Sequence, residues 1–281
     1  MRVARFWARA EAENDGWSQG AWGASDASMD EARSLAEGMA QKWAAEASAA
    51  HDNHCREYEY GRRAMPEPIV QDIHDQAGNR IAAVTINRYG ARVLNTANLA
   101  FIDVDLEPQQ REPGFLGKLF GKRPQASDGS QEAIDRLCDW VGQSEHHAAR
   151  VYRTAAGLRY LLVSPAMQPT SDQTRDLKAR LGAAPLYARL CHAQRSFRAR
   201  LSPKPWRLGI RGTPKLTFEK LDNASDEIST WLRNYEDASR NHAVCELIDE
   251  IGTTRPPDDD TARLITIHDE MSGVGTNLPL A

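Results

Sequence analysis

The 281-residue chain lacks any apolar run approaching the roughly 18 residues of a bilayer span, so a membrane-spanning helix is not expected. Its first fifteen residues, MRVARFWARAEAEND, turn acidic early and have no apolar centre, so no secretory leader is expected there. The cysteines Cys55, Cys138, Cys191 and Cys245 lie far apart and form no CxxC pair. That spacing gives neither a zinc ribbon nor a disulfide framework, and a reducing, cytoplasmic location is the expectation. The run HDNHC places His51, His54 and Cys55 together, but no second ligand pair follows at zinc-finger spacing. Positive net charge is also missing. A formal charge of −4 predicts no global attraction to nucleic acid, so any such binding must come from a local basic patch.

Several catalytic signatures are absent too. No GxxxxGK[ST] occurs, which argues against a P-loop nucleotidase, and no GxSxG, HExxH or GxGxxG occurs either. GVGTN near the C-terminus lacks the flanking strand and helix of a dinucleotide fold. His268-Asp269 forms an HD pair, but the second histidine pair of a metal phosphohydrolase has no counterpart.

What is present reads as an ordinary folded chain, 41% apolar and 26% charged, with no repeat and no low-complexity tract. Residues 1–57 read as an N-terminal helical extension. Trp7, Trp17 and Trp22 are packing anchors in it, and a helix over 29–49 shows Ala32, Leu35, Met39 and Trp43 at helical spacing. Strands are expected at 58–61, 69–74, 80–87 and 93–95, with a turn at 76–79 that makes the pairing antiparallel. Residues 107–129 read as a long loop in which Phe115, Leu116, Leu119 and Phe120 alternate with Lys118, Lys122 and Arg123. Helices follow at 130–145, 171–181, 185–193 and 225–239, strands at 150–154, 158–164 and 264–268, and a loose tail closes the chain.

Two stretches carry chemistry. In FIDVDL, residues 101–106, apolar residues alternate with Asp103 and Asp105. A period of two places both carboxylates on one face of a strand. Such a pair is either a solvated polar face or a site for Mg²⁺ or Mn²⁺, which take one or two carboxylates plus substrate phosphates. The second stretch, residues 195–220, gathers Arg195, Arg198, Arg200, Lys204, Arg207, Arg211, Lys215 and Lys220 against Glu219 alone. Pro203, Pro205 and Pro214 exclude a long helix there. Cations on extended backbone beside Phe197 and Trp206 suit phosphate and base-stacking contacts, or else balance acidic faces elsewhere.

The order of these features resembles the archaeo-eukaryotic primase superfamily, in particular its bacterial primase-polymerase branch. FIDVDL resembles the family's first motif. Residues 151–162, with Thr154 and Gly157, resemble the second, and Arg159 stands where the family has histidine. Arg198, Arg200, Lys204 and Pro205 resemble the later basic run, whereas 182–185 holds no acid where a third carboxylate would fall.

The resemblance implies an α+β fold: an antiparallel, RRM-like palm sheet over 58–220 with helices on one face, plus a helix–strand cap over 221–281. It implies a metal-dependent nucleotidyltransferase-like protein acting on or binding nucleotides or nucleic acid, or a catalytically degenerate form of one. Asp103 and Asp105 would be catalytic and would hold Mg²⁺ or Mn²⁺. Arg153, Arg159, Arg198, Arg200 and Lys204 would grip a nucleoside triphosphate, DNA or RNA. The alternatives are a non-catalytic nucleotide or nucleic-acid binder, and a partner-binding structural protein that uses the Trp-rich N-terminus and the 107–129 loop.

Overall fold

The computed structural model describes residues 1, 3–50, 66–106, 129–163, 167–211, 214, 225–253, 256 and 258–281. These residues form ten strands and six helices, an α+β architecture in which every pairing between strands is antiparallel. Among them, no helix is long and apolar enough to cross a membrane.

The chain opens with a hairpin, β1 (Phe6–Asn14) and β2 (Trp17–Ser25), rather than the helical extension expected over all of 1–57. The signal for it was present in Asp15-Gly16. Both residues have positive φ, 49° and 80°, and Asn14 pairs directly with Trp17. A two-residue turn of this kind matches the twist of a hairpin. Helix α1 (Met29–Ala50) then packs across the hairpin. Its buried stripe is Ala32, Ala36, Ala40, Ala44 and Ala47, whereas Leu35, expected on the packing face, is 47% exposed. The reason is close approach. A Cβ on Gly23 would stand 2.0 Å from the Ala32 carbonyl oxygen, so only small side chains fit between helix and ribbon.

The strands of the core form two four-stranded sheets rather than one palm. The first sheet has the order β3 (Ile69–His74), β4 (Arg80–Ile86), β5 (Arg92–Thr96) and β9 (Phe197–Arg200). The second has the order β10 (Cys245–Ile251), β7 (Ala148–Thr154), β8 (Gly157–Val163) and β6 (Ala100–Asp105). All seven residues of β8 are buried, as suits a central strand covered on both faces. Gly157 lets β8 come close to β6, since a Cβ there would lie 2.0 Å from the Val104 carbonyl oxygen.

Helices cover both faces of the second sheet. On one side lie α2 (Gly129–Val141), with Ala133, Leu137 and Trp140 buried, and α3 (Asp172–Arg180). On the other lies α6 (Asp259–Ser272), whose His268 ring packs against Phe101 and Tyr152 at centroid distances of 4.9 and 5.0 Å. The strand expected at 264–268 is thus part of this helix. Asp258 caps it by accepting from the Thr261 N–H, and Gly273 ends it with φ +74°. The tail is docked: the Ala281 N–H donates to the Ala243 carbonyl at 3.0 Å. Helix α5 (Asp226–Ser239) anchors through Tyr235, whose hydroxyl donates to the Pro203 carbonyl at 2.6 Å. The strand expected at 58–61, the HDNHC run, the 107–128 part of the loop, Lys215 and Lys220 lie outside the described residues.

Candidate functional site

Strand β6 is an edge strand, and its open edge is closed by the segment that leads into α4 (Pro185–Gln194). The Ala184 N–H donates to the Asp103 carbonyl at 2.9 Å, and the Tyr187 hydroxyl donates to the Phe101 carbonyl. A pocket of about 350 Å³ opens beside this edge, bounded by the end of β6, the β7–β8 turn, α4, β9 and the turn of 3₁₀ helix at Pro205–Leu208. Asp103, Asp105, Arg159, Arg198, Arg200 and Lys204 all line it. Of the expected site residues, only Arg153 is elsewhere. It is exposed on β7 and neighbours Tyr152, so alternation turns it to the opposite face of the sheet.

Proximity does not make these residues equivalent. Arg159, 0% exposed, pairs across the β6–β8 ladder with Asp103. Its Nε and Nη2 donate to the two oxygens of Asp103 at 2.7 and 3.3 Å. Its Nη1 donates to the Arg200 carbonyl at 2.9 Å and faces His268 Nε2 at 3.3 Å. A guanidinium only donates, so Nε2 is the acceptor and the proton of His268 sits on Nδ1, aimed at Asp269 Oδ1 2.8 Å away. Asp269 also accepts from the Tyr152 hydroxyl at 2.9 Å and from Arg150 at 2.7 Å. Burial would raise the pKa of Asp103, but the charge and hydrogen bonds of Arg159, helped by Arg200, hold it below the usual carboxylate range. Burial lowers the pKa of His268, and Arg159 adds to this against the pull of Asp269. The HD pair is therefore a buttress behind the pocket rather than part of a metal-binding histidine set.

Arg198 is likewise committed. It donates to both oxygens of Glu67 at 2.7 and 3.0 Å, and to Asn95 Oδ1 at 2.9 Å. Asn95 and Thr85 complete a closed buried network on the first sheet.

Arg200 differs. It follows Arg198 and Ala199 on β9, so its side chain shares the alternation of Arg198, but among the described residues no carboxylate hydrogen-bonds it and it feels only the longer-range pull of Asp103. Its Nε is buried with no hydrogen-bond partner, and no ion pair engages its guanidinium among the described residues. Burial lowers its pKa most. Asp103 opposes this while Arg159 and Arg207 reinforce it, and the pKa falls to about 10. Toward the mouth stand Lys204, its Nζ 5.5 Å from the Trp206 ring centroid, and the exposed Asp105, whose charge attracts Lys204 and whose carboxylate makes no hydrogen bond or ion pair among the described residues. Trp206 is 51% exposed and meets the Tyr89 ring edge-on at 5.3 Å. The pocket thus gathers six cationic side chains against three carboxylates, with an aromatic lip.

These residues do not fit a two-metal centre. Asp103 is held by Arg159 through both oxygens, Glu67 is held by Arg198, and among the described carboxylates of the pocket only Asp105 makes no hydrogen bond or ion pair. Among the described residues no three His, Cys, Asp or Glu side chains converge as a metal-binding group. A second cavity of about 330 Å³, between β9 and α5, is lined mainly by Ile86, Leu201, Pro203, Leu232 and Met271. Its polar groups satisfy one another, the Tyr235 hydroxyl meeting Ser202 Oγ at 2.8 Å.

No family model, curated protein or solved structure matches the chain.

Proposed function

We propose that the pocket beside β6 binds the phosphate of a nucleotide or nucleic acid. The observation that supports this reading is Arg200. A half-buried guanidinium whose Nε is shut off from solvent and which has no ion pair of its own among the described residues costs stability, and such a group is retained where an anion completes it. Charge-assisted hydrogen bonds from Arg are strong and suit phosphate geometry. The exposed Trp206, beside Lys204 and Tyr89, lines the same pocket and offers an aromatic surface for a base. The likeness of FIDVDL and the basic run to primase-polymerases points to the same ligand class. Nucleotidyl transfer through Mg²⁺ or Mn²⁺ would have to rest on Asp105, since Asp103 is engaged. The binding role is therefore the reading we favour over turnover.

Thermal-shift titration with adenosine, ADP, ATP and short single-stranded DNA and RNA tests it. Phosphorylated ligands should raise Tm and adenosine should not. Trp206→Ala and Lys204→Ala should weaken the response, and added salt should reduce it. Equal shifts with adenosine and ADP, or no shift with any ligand, would contradict the reading.

A further inference from the structure

Resting on that reading of the pocket, we propose that it takes the terminal phosphate of a nucleotide, and takes it without a divalent cation. Two features of the geometry lead there.

The first is depth. The inner wall is closed by Arg159 and by the fully buried Phe101 and His268 behind it, while Arg200 Nε is shut off from solvent. Asp105 and Trp206 are exposed at the mouth. A phosphate that reaches Arg200 therefore enters a blind end. An internal phosphodiester needs two exits for its flanking sugars, and a terminal phosphate needs one.

The second is charge. Where a metal-dependent site presents carboxylates to cations, this one presents Arg200, Lys204 and Arg207; among the described residues its lining carboxylates are Asp103 and Glu67, each already paired to an arginine, and Asp105 at the rim. A divalent ion placed among them would face guanidinium groups at short range, and those groups already supply the positive charge that a phosphate chain would otherwise take from Mg²⁺. A terminal phosphate carries close to two charges at neutral pH and offers three acceptor oxygens, which match the unused donors of Arg200 and its neighbours. The terminal group could belong to a free nucleotide or to the 5′ end of an oligonucleotide, and the chemistry at Arg200 is the same.

Calorimetric titration separates the claims. Four probes are used on the full chain: ADP, adenosine, a 5′-phosphorylated tetrathymidylate and its 5′-hydroxyl form, each in EDTA and in Mg²⁺. The expected result is that phosphorylated probes bind about 10- to 100-fold more tightly than their unphosphorylated forms, the value of one or two charge-assisted hydrogen bonds. Affinity in EDTA should match that in Mg²⁺, and Arg200→Met should erase the phosphate preference while thermal melting shows a folded chain. Tight ADP binding with weak binding of the phosphorylated tetramer assigns the site to small nucleotides; the same preference in both pairs assigns it to terminal phosphates from either source. Binding of nucleotides that needs Mg²⁺, or equal affinity for the phosphate and hydroxyl ends, would overturn this proposal and leave the pocket reading standing. No binding of any probe would remove both.

Discussion

Replacing Arg200 by methionine should make the protein more stable and should remove its preference for phosphorylated ligands. The side chain of Met keeps the length of the arginine stem and removes the charge. The strand survives the change, because Arg200 pairs with Val93 through its backbone, and the contact to Arg159 uses the Arg200 carbonyl. The gain follows from the guanidinium's environment. Its pKa drops to about 10 under burial and the repulsion of Arg159 and Arg207, against the partial pull of Asp103. At neutral pH it is charged in the folded and unfolded states alike, so the folded state bears the whole penalty. From an ordinary value above 12 the drop corresponds to about 3 kcal/mol, and water at the pocket mouth reduces this to about 1–3 kcal/mol. At roughly 2–4 °C per kcal/mol for a chain of this size, Tm should rise by about 2–12 °C. Urea denaturation and thermal melting of wild type and Arg200→Met, each with and without ADP, measure both effects. A fall in Tm of similar size would show that the guanidinium is compensated in the folded state, and the reasoning would fail.

Three further outcomes are expected. Asp103→Asn breaks an ion pair whose arginine is fully buried and whose carboxylate is partly exposed, leaving Arg159 without its counter-charge, so it should cost about 2–4 kcal/mol in chemical denaturation. A loss of less than about 1 kcal/mol would mean that the pair is not shielded from water. Gly157→Ala drives a Cβ to 2.0 Å from the Val104 carbonyl oxygen, which no rotamer relieves, so it should abolish soluble expression or cost more than about 3 kcal/mol. His268 is held neutral, its pKa below the usual 6.5 chiefly through burial. Below pH 6.5 the unfolded chain takes up a proton that the folded chain refuses, so stability should fall by up to about 1.4 kcal/mol per pH unit from there down to the lowered folded value. His268→Gln should flatten that slope between pH 7 and 5.5, and an unchanged slope in the variant would assign it to other groups.

The strand with Asp103 and Asp105 and the basic strand of Arg198 and Arg200 were legible in the sequence because alternation and charge segregation act locally. Their meeting in one pocket follows from β9 joining β5 while β6 lies alongside, a long-range arrangement that no local pattern encodes. Which cations are engaged was not legible at all. Arg198 and Arg200 look alike in sequence, yet Glu67 closes on the first and no described carboxylate bonds the second. Arg159 reads as a binding residue but is the partner of Asp103, placed directly opposite by the β6–β8 register. Asp15-Gly16 was a readable hairpin signal, hidden by the alanine content of the segment that follows. The helix at 259–272 was missed because its apolar run, Leu264 to Ile267, is as short as a strand, and only the Asp258 cap and Gly273 stop mark its ends. His268 was set aside for want of a metal partner. Its role appears only when α6 carries it behind Arg159.

The account rests on a phosphate completing Arg200, and ³¹P nuclear magnetic resonance of ADP in EDTA tests this most directly. The β-phosphorus resonance should shift and broaden on addition of the wild-type protein, more than the α-phosphorus, and should stay unmoved with Arg200→Met. An unmoved β-phosphorus with wild type, or the same shift with the variant, would contradict the account.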